Sequence, residues 1–347
     1  LLVFVFRGFI FEPFRVPQKF NDVLGQEHIT DSLSSAIKLG NISHAYLFSG
    51  TRGTGKTSVA RIFANEIGTT RNDLYEIDAA SNRGIDDIRE LRDAVNIMPF
   101  ESKYKVYIID EAHMLTKEAF NALLKTLEEP PAHAIFILAT TEVHKLPDTI
   151  VSRCEPHGFR KPSHEVLKNM IVDIAKKEGF RIDPSGVELI SILGDSSFRD
   201  TQGILQKTIS SSKNKEISLR EIEKVTGAPS GELVNDILKA ISEKELDDAL
   251  EAVGKAVEKN VDMKIFLKLI LHKARLILLI RYASDMKEEI KSEVSEKDYE
   301  FLKKMTEEAK INSNVLKTLL DAYRETSYSY IPQLPFELAL VEIIGQD

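Results

Sequence analysis

The segment Gly50-Thr51-Arg52-Gly53-Thr54-Gly55-Lys56-Thr57 constrains the fold more than any other stretch of the chain. It fits G-x-x-x-x-G-K-[ST] in full, follows the apolar run Ala45–Ser49, and opens a helical pattern at Lys56 and Ser58. Such a loop binds phosphate where a buried strand passes its chain to a helix. Glycines let backbone N–H groups close around the phosphates, and the helix N-terminus adds partial positive charge. Lys56 is expected to reach the β- and γ-phosphates, and the Thr57 hydroxyl to ligate Mg2+. A glycine-rich turn with a chance lysine would lack this strand-loop-helix setting.

The surrounding pattern agrees. Short apolar runs at Ala45–Ser49, Leu74–Ile77, Lys105–Ile109 and Ala134–Ala139 read as strands buried on both faces. Helical patterns lie between and around them, at Glu27–Leu39, Lys56–Glu66, Ile85–Val95, Thr116–Leu127 and Pro147–Val151. This alternation predicts a parallel sheet flanked by helices. After Lys161-Pro162-Ser163 strand signals stop, and breaks near Arg181–Pro184 and Ser210–Lys215 interrupt a helical region. Ala228-Pro229 marks a second boundary, because a residue before proline avoids the helical conformation. The expected division is an uncertain segment 1–14, an α/β core 15–162, a small helical region 163–228 and a helical domain 229–347.

The run Val106–Ile109 ends in Asp110-Glu111, delivering two carboxylates to the C-terminal edge of the sheet, where ligands bind in open α/β folds. Asp110 is expected to hold Mg2+ through water, and Glu111 to polarise an attacking water. The letters DEAH also spell a helicase motif, but a helicase needs a second α/β lobe that residues 163–347 do not offer. Thr140-Thr141 ends another buried strand, either capping it or facing the nucleotide. Arg153 and Arg199 are either solvated or able to stabilise γ-phosphate charge, Arg153 in a neighbouring subunit.

Composition sets the outer bounds. A chain of 347 residues, 43% hydrophobic and 29% charged, has apolar material for two or three cores. The single cysteine, Cys154, leaves no intramolecular disulfide and no multi-cysteine zinc site, and suits a reducing cytoplasm. The net charge of −8 does not mark a bulk nucleic-acid binder, so any DNA contact is expected to be local or shared. No run of 18 apolar residues exists to span a membrane. The opening LLVFVFRGFIF is broken by Arg7 and lacks a cleavage site; it reads as a fragment edge, a mis-set start or a peripheral strand.

FNDVLGQEHI (20–29), GTRGTGKTSVARIFA (50–64), EIDAASNRGIDDIRELRDAV (76–95), KYKVYIIDEAHMLTKEAFNALLKTLEEPPAH (103–133), LATT (138–141) and SRC (152–154) resemble the bacterial DNA polymerase III gamma/tau family. PQLPFELALVE (332–342) resembles the end of that family's oligomerisation domain. The resemblance implies an α/β AAA+ P-loop module, a helical lid and an all-helical collar domain. It implies an ATP hydrolase within the DNA-directed DNA polymerase III holoenzyme, the motor of the sliding-clamp loader, using ATP and Mg2+ in the cytoplasm. Its partners would be delta, delta-prime and further gamma/tau copies, the sliding clamp and the backbone of primed DNA, with no membrane. It makes Gly50–Ser58 the nucleotide loop, Asp110 and Glu111 the Walker B pair, Thr141 with Thr140 sensor 1, Arg153 the arginine acting on a neighbour's ATP, and Arg199 sensor 2. Two departures stand out. Ile67–Asp73 directly bridges the gap where the family usually inserts a four-cysteine zinc module, so no zinc site is expected. Near the adenine, only Arg15 and Pro17 match the family's N-terminal motif. A non-hydrolysing delta-prime-type subunit and an AAA+ branch-migration motor are the alternatives. The intact Gly50–Thr57 and Asp110-Glu111 oppose the first, and KTLEEPP with IDAAS opposes the second.

Overall fold

Strands β1 (Ala45–Ser49), β2 (Leu74–Asp78), β3 (Lys105–Asp110), β4 (Ala134–Thr140) and β5 (Glu155–Gly158) form one all-parallel sheet in the order β2-β3-β4-β1-β5. The computed structural model describes residues 17–81, 91, 93–212, 214–307 and 310–345. The first four strands match the sequence pattern to within a residue at their ends. Three of them are buried along their length, but β2 is not. Among the described residues its one neighbour is β3, so as an edge strand it keeps Tyr75 and Glu76 exposed, a correction to the expected burial on both faces.

β5, Glu155-Pro156-His157-Gly158, had no strand signal. Its extended form comes from pairing with β1, and its His157 ring lies against the Tyr46 and Phe48 rings, at centroid distances of 5.8 and 5.6 Å.

Strand alternation feeds two core layers. Leu47, Tyr107, Ile109, Phe136 and Leu138 pack with Phe120, Leu123 and Leu127 of α3 (Lys117–Glu128). Tyr46, Phe48, Ile108 and Ile137 pack on the other side with Ile29 and Leu33 of α1 (Glu27–Leu39) and Val59, Ile62 and Phe63 of α2 (Lys56–Glu66). α1 stops at Gly40, whose φ of +71° suits the left-handed end. Thr116 caps α3 by accepting from the Ala119 N–H. α4 is the single turn Asp148–Val151. Of the helix expected over 85–95, only Leu91 and residues 93–95 lie among the described residues.

The described chain divides into two compact units, one running through Leu167 and including Ser196–Asp200, the other comprising Lys168–Asp195 and Thr201 onward. The second unit is helical: α5 (His164–Lys177) and α7 (Phe198–Ser211) continue into it, joined by α6 (Pro184–Leu193) and α8 (Leu219–Thr226). It also holds a short parallel clasp, β6 (Arg181–Ile182) with β7 (Glu216–Ile217), where only polar breaks were expected. Two residues per strand are too few to register as a strand pattern in sequence. Helices α9 (Gly231–Glu243), α10 (Leu246–Glu258), α11 (Met263–Tyr282), α12 (Lys287–Glu293), α13 (Glu296–Glu307), α14 (Ser313–Glu325) and α15 (Leu334–Ile344) complete it. The 20-residue α11 packs against α9, α13 and α14, and its buried Phe266 meets Phe336 edge-on at 5.5 Å.

Candidate nucleotide-binding site

β1 ends at Ser49, and the chain turns through Gly50–Gly55 into α2. The turn requires glycine in two ways. Gly53 has φ +75° and would place a Cβ 2.0 Å from Ser197 Oγ, while the Phe198 N–H donates to the Gly53 carbonyl at 2.9 Å. Gly55 has φ +100°, and nothing lies within 4 Å of the place its Cβ would occupy, so the loop is open where α2 begins. Thr54 is buried and its hydroxyl donates to the Thr51 carbonyl, whereas Thr51 and Arg52 are exposed and Ser58 is half-buried.

Lys56 is 5% exposed, and its ammonium donates to the Gly50 and Thr51 carbonyls at 2.9 and 3.0 Å. Burial pushes it below the ordinary lysine range, while the carboxylates of Glu111 and Asp110 draw it back up. The Arg199 guanidinium adds to the depression, which places the first turn of α7 in the electrostatic surroundings of the loop. An anion in the loop would relieve that mutual repulsion.

Adjacent β3 delivers Asp110 beside α2, and the Thr57 hydroxyl donates to Asp110 Oδ2 at 2.7 Å. The Glu111 N–H donates to Asp110 Oδ1 at 2.9 Å. Glu111 adopts φ +48°, uncommon for a residue other than glycine, as the strand turns sharply into the 3-10 turn Ala112–Met114. Across the next strand, the Thr141 hydroxyl donates to Glu111 Oε2 at 3.1 Å. Two hard oxygen donors at Thr57 and Asp110, beside a loop open at Gly55, suit Mg2+ with a phosphate-bearing ligand.

The fold therefore brings together Gly50–Ser58, Asp110, Glu111, Thr141 and Arg199. Arg153 stands apart: its guanidinium pairs with Glu128 Oε1 at 2.6 Å and donates to the Thr149 carbonyl at 2.7 Å. Arg15 lies outside the described residues. Thr140 caps its own strand, accepting from the Glu142 N–H at 3.0 Å.

Two residues in this region had no role assigned from sequence. Gln26 is fully buried, donating from Nε2 to the Arg160 carbonyl and accepting the Arg160 N–H, which ties the start of α1 to the chain leaving β5. His113, the last letter of DEAH, is buried against Thr140, Glu111 and Glu142. Its place in the motif was visible; its partner Glu142 belongs to no motif.

The family model described as DNA polymerase III subunits gamma and tau domain III matches residues 217–346, and the one described as DNA polymerase III, delta subunit matches residues 68–163. DNA polymerase III subunit tau of Bacillus subtilis is 37% identical over 94% of this chain. The gamma subunit of Buchnera aphidicola is 42% identical over 62% of it. By these matches the chain is similar to the gamma and tau subunits of DNA polymerase III along most of its length. It spans 62% of the length of the Bacillus relative and 64% of the Buchnera one. Among solved structures, the Thermotoga maritima RuvB Holliday junction branch migration motor superposes with a TM-score of 0.53 at 22% identity, covering 70% of this chain and 86% of that one. At that identity the likeness speaks for the α/β fold alone, and not for branch migration. The helical C-terminal part matches gamma/tau domain III.

Proposed function

We propose that the chain binds ATP with Mg2+ in the Gly50–Ser58 loop and hydrolyses it as a motor subunit of the DNA polymerase III clamp loader. The observation that carries this reading is the Thr57–Asp110 hydrogen bond of 2.7 Å beside buried Lys56, in a chain similar to the gamma and tau subunits. Lys56 and the open loop would bind the phosphates. Thr57 and Asp110 would hold the metal, which when bound neutralises phosphate charge and orients the transferred group. Glu111 would take the proton of the attacking water, with Thr141 fixing its carboxylate. Arg199 would supply positive charge over the nucleotide from the helical lid, residues 163–228, and residues 229–347 would form the oligomerising collar. Arg153 would leave Glu128 to act on the ATP of an adjacent subunit. In the cytoplasm, with delta, delta-prime and further gamma/tau copies, the cycle would open the sliding clamp and place it on primed DNA along the phosphate backbone.

The test is assembly and turnover. The chain mixed with delta, delta-prime and the clamp should co-purify, and its ATP hydrolysis should rise with clamp and primed DNA. Arg153→Ala throughout that assembly should lower the stimulated rate by about 10³, with each subunit's own ATP affinity unchanged. Failure to associate with any loader subunit would overturn the loader reading, and parental stimulated turnover with Arg153→Ala would remove that residue from catalysis.

A further inference from the structure

His113 closes a ring of polar contacts between the ends of β3 and β4. Its Nδ1 lies 3.1 Å from Thr140 Oγ1 and its Nε2 lies 3.1 Å from Glu142 Oε2, while the Glu142 N–H donates back to Thr140 Oγ1 at 3.0 Å. With Nε2 carrying the proton, these three contacts agree in polarity: the Nε2–H side faces the Glu142 carboxylate, the Thr140 hydroxyl donates to Nδ1, and the Glu142 amide donates to that hydroxyl oxygen. The imidazole is only 7% exposed, so this ring fixes its orientation. The Lys145 ammonium anchors Glu142 at 2.8 Å and holds its carboxyl below the usual range, keeping the acceptor ionised.

The fixed imidazole stands 3.5 Å from Glu111 Oε2, the same oxygen that accepts from Thr141. Oε2 thus accepts from Thr141 and lies in packing contact with the His113 ring, whose Nδ1 carries no proton to give it, and Oε1 keeps no hydrogen-bond partner among the described residues. A carboxylate held by one oxygen presents the other in a defined direction, which a general base requires.

We infer that His113 and Glu142 are positioning residues for Glu111: Glu142 fixes the imidazole, and the imidazole backs Oε2 so that Oε1 faces the reacting water. This rests on the reading of Glu111 as the base. It gives a function to an acidic residue outside every motif, on the turn after β4.

The experiment measures kcat, KM for ATP and fluorescent-nucleotide affinity for the full chain and its variants. Glu142→Ala, which removes a partly exposed side chain, should lower kcat about tenfold, the lower end for loss of an orienting partner, with KM and nucleotide affinity within twofold. Glu142→Gln keeps an acceptor for Nε2–H and should restore at least half the parental kcat, a rescue that a packing role would not give. His113→Ala should lose as much as Glu142→Ala, and the double variant no more than His113→Ala alone, because both act through one contact chain. If His113→Ala does not fold, the Glu142 pair still decides. Parental kcat in Glu142→Ala, or equal losses in Glu142→Gln and Glu142→Ala, would overturn the inference. Should Glu111→Gln itself turn over at the parental rate, the reading of the base has failed instead.

Discussion

Every buried charged side chain among the described residues lies in the first unit: Lys56, Asp73 and Lys105. The buried polar residues of the helical unit are serines and threonines, several of which bond to carbonyls of their own helices, as Thr208 does to Ile204 and Thr326 to Ala322. Burying a charge is costly unless it is well paired, so each one in the first unit calls for a reason. Asp73 and Lys105 have structural reasons. The Asp73 carboxylate accepts the N–H groups of Phe100, Glu101 and Ser102 at 2.6, 3.0 and 2.8 Å, and the Lys105 ammonium donates to the Ala94 and Ile97 carbonyls. Lys56 meets only carbonyls of its own loop and sits below its ordinary pKa range, the pattern of a residue kept for a ligand. On the proposed function, chemistry and stability are separable here, with Lys56 on one side and the helical core on the other.

Four substitutions can break or sharpen that contrast. The largest effect is expected at Lys56→Met. ATP hydrolysis should vanish while the thermal midpoint stays level or rises, because a desolvated ammonium is removed; a midpoint several degrees lower would make Lys56 a structural residue. In the helical unit, Phe266→Ala opens a cavity under α11 and should cost about 3–5 kcal/mol in denaturant titration, leaving nucleotide affinity of the folded fraction intact.

Asp73→Asn tests a buried charge held for structure. Burial pushes this carboxyl up, but three backbone N–H donors and the Ser102 hydroxyl outweigh that and hold it at about 2. Because the folded value lies below the unfolded one of about 3.9, the ionised group stabilises the fold above roughly pH 4 and loses that contribution as pH falls toward 2. The variant should therefore be less stable by about 2 kcal/mol at pH 7, with the gap closing near pH 2 and hydrolysis per folded chain retained. A gap independent of pH would contradict the assignment. The smallest effect belongs to Glu251→Ala, which removes an exposed pair with Lys255 on α10; calorimetry should find the midpoint within error of the parent.

The same contrast explains what could be read from the residues alone. β1, β3 and β4 were legible because continuous apolar runs mean burial on both faces, and the loop was legible because its glycines, lysine and threonine stand in the fixed order of a phosphate-binding motif between a strand and a helix. β5 was not, since Glu-Pro-His-Gly becomes a strand only through its pairing with β1. The ends of β2 were found, but its exposure depends on sheet order, which no local pattern carries. Asp110 and Glu111 were placed by their strand end, while the Glu142–His113–Glu111 chain arises because separate segments meet at adjacent strand ends. Arg153 was found as a residue but not as a partner of Glu128, because that pairing is tertiary.

The central claim is that β3 delivers a metal-holding Asp110 and a separate catalytic base, Glu111, to nucleotide held by the Gly50–Ser58 loop. Rapid-quench measurement of a single turnover with prebound radiolabelled ATP and Mg2+ tests it most directly in Glu111→Gln. The account predicts ATP bound as tightly as by the parent and cleaved about 10²–10⁴ times more slowly. Cleavage of the bound ATP at the parental rate would contradict it.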